Sequence, residues 1–294
     1  MLLPLQAAGH SIRAGQCYHD ALRQEASSEL KLNVLMEVCI DAYGYRLTAQ
    51  PCMQFADEVV YGSGDAGRNV ACDPKIHAQV RQAANRLHLA EHEIGESGVA
   101  VACAGDIECK FLEGSTTQAY LLDMARGMPP ESPSASSHVF AIVGQPAFYK
   151  MLRPELLQRL KGDDEHAQVT DGLSPDAFTS FGSSDEAKAI RRNQDVHKAT
   201  EFLLRTVIPK FVERDVMSMF HANEWTDTMM KMWGVGQWAW RLHSKGINVR
   251  YLGMIRKSIP TIAMEKNTRT GALAEVRCAL LGEMAARSIK ALAW

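Results

Sequence analysis

Apolar and polar positions repeat with two different periods along this chain. Over residues 25–42, Leu30, Val34, Leu35, Val38 and Cys39 recur at steps of three and four. That spacing predicts a helix with one apolar face, stopped by Gly44. Residues 45–50 then alternate, and residues 58–61 follow after Pro51 and a short loop. Both runs predict strands, lying side by side. Residues 62–67 are rich in Gly and predict a turn. Asp73 and Pro74 are an N-cap and first-turn pair, and they open a predicted helix that reaches about Leu87. A strand, loop and strand over 106–123 follow, with Ala119, Tyr120, Leu121 and Leu122 as a buried-strand run.

Residues 1–24 carry no strong pattern. Residues 127–137 and 162–186 are rich in Pro, Ser, Gly and Asp and predict loops. Between them lie a short apolar run over 139–143 and the start of a short helix at 152–156. From Asp185 onward the pattern is helical. Two long helices are predicted over 186–220 and 223–244, a shorter one capped by Asn248 runs to Ile255, and a last one covers 270–294. No internal repeat is visible. The fold class is therefore α+β: a mixed first half with a small sheet, packed on a mainly helical second half.

Composition narrows the functional classes. The 294 residues are 46% hydrophobic and 22% charged, enough for one large core or two smaller ones. Lys plus Arg number 32 against 34 acidic residues, so the chain as a whole exerts no pull on nucleic acid or acidic membranes. Seven cysteines at scattered spacing, with no Cys-x-x-Cys pair, fit a reduced protein with thiols in its core. No apolar run approaches the roughly 20 residues of a membrane span, and a cytoplasmic location is expected.

The candidate chemistry centres on two carboxylates. Asp106 follows Gly105, and Asp123 ends the run Tyr120-Leu121-Leu122. One reading is a phosphate and magnesium site, because Mg²⁺ takes carboxylate and phosphate oxygens. The other is structural: Asp106 caps a turn, and Asp123 caps a loop or pairs with Arg126. Tyr61, Gly62, Ser63 and Asp65 lie in a glycine-rich loop that either cradles a phosphate or connects two elements; it lacks the P-loop lysine. His88 and His92 share a face if their segment is helical, as zinc ligands or as a solvated helix end. No nucleophile elbow is present, and no cysteine has a recognisable histidine partner. Lys188, Arg191, Arg192 and Lys198, and a second group of Arg250, Arg256 and Lys257, are either RNA-backbone contacts or solvated helix faces. Trp225, Trp233, Trp238 and Trp240, with Met229, Met230 and Met232, make the 223–244 helix bulky and apolar. That band is either core or a docking surface for a protein partner or missing domain.

Eleven segments, in order, resemble the Clu domain of the clustered-mitochondria family. They begin with Glu29-Leu30-Lys31, residues 44–51, and Val60-Tyr61-Gly62-Ser63 with residues 65–68. Gly105-Asp106-Ile107-Glu108, then residues 120–126 with Pro129-Pro130-Glu131, and residues 152–156 follow. The rest are Ser174-Pro175-Asp176-Ala177-Phe178, Asn193-Gln194 with Ala199-Thr200, Ile208-Pro209-Lys210-Phe211, residues 246–253 and residues 283–287. The resemblance implies a Clu-type domain over 29–294, with a mixed part at 29–161 and a helical part at 186–294. Residues 1–28 would then be an extension or a truncated lead-in. It further implies a cytoplasmic, non-catalytic module for mitochondrial distribution, with mRNA or ribosome-associated proteins as partners and no established cofactor.

Within that pattern, residues 106–126 are similar to the catalytic and metal loops of the protein-kinase fold. This implies the alternative of a phosphotransferase or nucleotide-binding pseudokinase using Mg and ATP. Asp106 would be catalytic, Asp123 would hold the metal, and Glu29 would stand on the αC helix. Glu29, Tyr61, Gly62, Ser63 and Asp65 would bind the cofactor. The kinase asparagine five positions after Asp106 is absent, replaced by Phe111, and no upstream strand lysine is evident.

Overall fold

The computed structural model describes residues 3–23, 29–43, 45–65, 67–95, 98–136, 150–162, 172–179, 181, 186–217, 237–265 and 270–293. The chain divides into two units, Met1–Ala199 and Thr200–Trp294.

The first unit opens with helix α1 (Leu3–Leu22), where hydropathy alone predicts nothing. Its buried stripe of Ser11, Ala14, Tyr18, Ala21 and Leu22 has helical spacing but little aliphatic bulk. Helix α2 (Pro74–Leu87) forms as expected. The Asp73 carboxylate accepts from the Lys75 and Ile76 N–H groups, and Ile76, Val80, Ala83, Ala84 and Leu87 are buried along one side. Each fully buried Ile, Val or Leu side chain contributes about 1.5–3 kcal/mol. The helix ends at His88, whose backbone is left-handed (φ 59°). His88 and His92 therefore do not share a helix face, as the four-residue spacing allowed: His92 lies on a strand, β6, of the nine below.

Residues 31–42 form strands and not the expected helix. They are β1 (Lys31–Val34) and β2 (Val38–Ala42), the latter in a hairpin with β3 (Tyr45–Ala49). The apolar positions Leu30, Leu32, Val34, Val38 and Ile40 are all even-numbered, so a period of two fits them as well as a helical step. Pairing with the sheet decides between the two. The remaining strands are β4 (Tyr61–Gly62), β5 (Ala71–Cys72), β6 (His92–Ile94), β7 (Val99–Val101), β8 (Glu108–Phe111) and β9 (Gln118–Leu122). The main sheet has the order β1-β9-β8-β4-β5, with β1 parallel to β9 and the other pairs antiparallel. The strands expected side by side, at 45–50 and 58–61, lie in different sheets: β3 pairs with β2, and β4 sits between β5 and β8. In register, Val34, Leu121, Cys109 and Tyr61 form a buried row across the main sheet. Helix α1 packs on β1 and α2. Short α3 (Pro133–Ser136), α4 (Pro154–Gly162) and α5 (Glu186–Phe202) complete the unit, whose boundary falls in the last turn of α5.

The second unit is helical, which completes the α+β class. Its first helix is interrupted: π turns at Leu203–Val207 and Val212–Val216 flank Ile208–Phe211. Pro209 has no N–H for the i→i−4 ladder, and the chain widens on both sides of it. The helices Gln237–Ser244, Leu252–Glu265 and Thr270–Ala293 follow, and the last two pack against each other. Phe211, Val212, Leu242, Tyr251, Ile255 and Leu280 are among its buried residues. Of the tryptophan and methionine band, Trp238 is buried and Trp240 exposed. Trp225, Trp233, Met229, Met230 and Met232, like the apolar run at 139–143, lie outside the described residues. No helix among the described residues is long and apolar enough to cross a membrane.

Candidate functional site

The β8–β9 hairpin explains why two aspartates seventeen positions apart belong together. Glu108 pairs with Leu122, so Asp106, two residues before Glu108, and Asp123, one after Leu122, lie at the same end of the hairpin. Asp123 then adopts a left-handed backbone (φ 58°, ψ 50°), and the 3₁₀ turn Met124–Arg126 swings Arg126 back towards Asp106.

The side chains go separate ways from there. Arg126 Nη1 donates to Asp106 Oδ2 (3.3 Å), and Nη2 donates to Asp176 Oδ1 (2.7 Å). Asp176 is a hub: its Oδ2 also accepts from His92 Nε2 (2.8 Å) and from the Gly105 N–H (2.7 Å). The other ring nitrogen of His92, Nδ1, faces the Ala90 carbonyl at 3.0 Å, which can only accept. Both ring nitrogens of His92 thus face acceptors. The Asp176 side chain is fully buried, and those of His92 and Arg126 nearly so. Phe181 closes the arrangement, with the Arg126 guanidinium carbon 4.7 Å from its ring centroid. Gly105 admits the close approach: a Cβ there would lie 2.9 Å from Phe181 Cδ1 and 3.1 Å from Asp176 Oδ2.

The electrostatics follow from these partners. Burial pushes the Asp176 carboxyl up, but the hydrogen bond and charge of His92, the charge of Arg126 and the Gly105 N–H outweigh it. Asp176 is held below the usual carboxylate range. Asp106 has the longer Arg126 bond and its own backbone N–H, which together do less. Burial dominates there, aided by the neighbouring Asp176, and its pKa is pushed up to about 6. Asp123 is exposed at the hairpin end, and its pKa is raised by partial burial and then by Glu108 and Glu37, against Lys110.

The remaining sequence-derived candidates are held by their own neighbourhoods. The Tyr61 hydroxyl is buried, accepts from the Ala102 N–H (2.8 Å) and meets His77 Nδ1 (3.1 Å). Gly62 (φ 81°) lies so close to the Asp106 turn that a Cβ would overlap the Ile107 carbonyl oxygen. Ser63 Oγ accepts from the Gly67 N–H (2.8 Å) and donates to Asp65 Oδ1 (2.9 Å), and Asp65 binds the Asn69 N–H and side-chain amide. Glu29 is exposed just before β1 and stands on no described helix. Arg126 bonds Asp106 and Asp176. Among the described residues no group of three His, Cys, Asp or Glu side chains could hold a metal ion.

Fold and site together define an α+β protein whose central carboxylates are bound by cations of its own chain. Comparison with known proteins then supports the clustered-mitochondria family. Residues 5–133 match the family profile described as "Clustered mitochondria". Residues 237–293 match the profile described as "Translation initiation factor eIF3 subunit 135". The clustered mitochondria protein of Arabidopsis thaliana is 25% identical over 306 residues, 81% of this chain and 21% of that protein. The clustered mitochondria protein homolog of Malassezia globosa is 26% identical over 247 residues, 68% of this chain and 18% of that protein. Protein clueless of Drosophila persimilis is 36% identical over 107 residues, 34% of this chain and 8% of that protein. The chain thus spans about a fifth or less of the length of these relatives. No solved structure gives a significant match, so the kinase-fold similarity gains no support from that side.

Proposed function

We propose that this chain is a non-catalytic, cytoplasmic Clu-type module serving mitochondrial distribution, acting through surfaces for mRNA or for proteins of the translation machinery. One observation carries the non-catalytic part. Asp106, which phosphoryl transfer would need facing a substrate, bonds Arg126, and Arg126 bonds the buried hub Asp176. The match of residues 5–133 to the clustered-mitochondria profile supports the biological setting, and that of residues 237–293 supports the translation link. Within that second stretch Trp240 is 70% exposed, an aromatic of the kind that anchors protein interfaces. Trp240→Ala is therefore the test. Affinity capture of the tagged protein from cytosol should recover initiation factors or ribosomal proteins, and the variant should lose them at an unchanged melting temperature. Equal recovery by both proteins would exclude this surface. Ultraviolet crosslinking to RNA that weakens steeply with salt would establish the mRNA arm.

A phosphotransferase using Asp106, Asp123, Mg and ATP is the second reading. It is supported by the position of both carboxylates at one hairpin end, where Asp123 is among the charges acting on Asp106. Mg-ATP should then raise the melting temperature by several degrees. An unchanged melting curve at millimolar nucleotide rejects it.

A further inference from the structure

The last helix of the second unit, Thr270–Ala293, has two apolar sides over its middle turns. The inner side carries the buried Val276 and Leu280, and the helix packs against Leu252–Glu265. Between Cys278 and Ile289 the charged residues are Glu283 and Arg287, which pair with each other at 2.6 Å, Glu283 being buried. The outer side over the same turns is therefore without charge. Cys278, Leu281, Gly282, Ala285, Ala286 and Ile289 adjoin there at steps of three and four, and all six are exposed. Leu281 is 47% exposed and Ile289 66%. A helix that is apolar on both sides is normally covered on both.

Gly282 adds an independent observation. It stands in the interior of a 24-residue helix, where Gly weakens the structure. Its backbone is not left-handed, and a Cβ there would meet nothing within 4 Å. Nothing described within this chain therefore requires a glycine. A backbone approaching closely from outside does require one.

The order of large and small residues points to what approaches. Lay a second copy of the helix antiparallel, with Gly282 opposite Ala285. Leu281 then stands opposite Ala286, and Cys278 opposite Ile289. Each large side chain meets a small one, as close helix packing needs. The two-fold axis repeats every pair, which makes the face self-complementary. A parallel pairing would instead set Leu281 on Leu281, Ile289 on Ile289 and Gly282 on Gly282, bulk on bulk and gap on gap. Glu283 and Arg287 point inward in both copies, so no like charges oppose each other.

We propose that the outer face of this helix binds a second copy of the chain, antiparallel and centred between Gly282 and Ala285. This interface goes beyond the module function above and does not use Trp240. It doubles whatever surfaces each copy presents to its partners.

Sedimentation equilibrium of the full chain tests the proposal. A single helix pair is smaller than a standard interface, so a monomer–dimer equilibrium with Kd of roughly 10–100 µM is expected. Gly282→Glu places a charge at the centre of the pairing, into space that is open in the single copy. It should weaken the dimer at least about tenfold. Its melting temperature, read in dilute solution where the chain is monomeric, should not fall, because Glu is the better helix former. Ile289→Cys fixes the direction. Mild oxidation at high concentration, followed by peptide mass spectrometry, should link Cys278 of one copy to position 289 of the other. A monomer at all concentrations overturns the proposal, and so does a dimer that Gly282→Glu leaves intact. Links joining Cys278 to Cys278 overturn the antiparallel pairing and the proposal with it.

Discussion

Replacing Asp106 by Asn should stabilise this protein at neutral pH. The carboxyl sits at about pH 6 in the folded chain against an ordinary 3.8, chiefly because burial disfavours its charge. The sign follows from proton binding. Between about pH 4 and 6 the folded state keeps a proton that the unfolded state has released, so stability falls as pH rises through that window and levels off above it. A shift of about two units at 1.36 kcal/mol each sets a ceiling of about 3 kcal/mol. The side chain is 30% exposed, so solvent screening lowers the realised value to about 1–2 kcal/mol. Asn keeps the shape and an acceptor for Arg126 Nη1 but cannot ionise. Urea denaturation of both proteins from pH 4 to 7.5 measures the effect. The difference in unfolding free energy should grow in favour of Asn by about 1–2 kcal/mol between pH 4 and 7. Parallel curves across that range would refute the argument that Asp106 is an ionised group held at a cost.

Asp176→Ala should cost about 3–5 kcal/mol, because it leaves Arg126 and His92 buried beside a missing counter-charge, and urea denaturation at pH 7 reads it directly. Asp176 titrates below its ordinary value, so the stability it contributes is complete above about pH 4 and is lost on further acidification; circular dichroism during acid titration should show the variant losing less than the parent there. Gly62→Ala should destabilise by more than about 1 kcal/mol, since the backbone is left-handed and the new methyl group meets the Ile107 carbonyl, and a lower melting temperature would report it.

The sequence makes local devices legible and distant partnerships illegible. Asp73 and Pro74 announce α2 because a capping carboxylate and a proline act within one turn. The apolar run before Asp123 announces β9, and the hairpin geometry brings Asp106 to the same end. Helix α1 escapes notice because its buried stripe is built on Ala and Ser, with Tyr18 the one large ring. Residues 31–42 mislead because their apolar positions satisfy two periods, and only strand pairing decides, with β9 for 31–34 and with β3 for 38–42. The hub Asp176 lies in a Ser- and Asp-rich stretch that reads as loop, with no local sign of a buried ion. Its segment, Ser174 to Phe178, stands out only through the resemblance to the Clu family.

The hub joins groups far apart along the chain: Asp176 reaches back 50 positions to Arg126, 71 to Gly105 and 84 to His92. Contacts over such separations require the closure of long loops, and each closure costs chain entropy before any bond rewards it. The Asp176 bonds are therefore expected to close after the hairpin and α2 have formed. Interactions absent from the folding transition state act on the rate of unfolding, so the hub is a latch on the lifetime of the native state. Stopped-flow kinetics of Asp176→Asn should show faster unfolding with refolding nearly unchanged; a refolding rate slowed in proportion would place the hub in the nucleus instead.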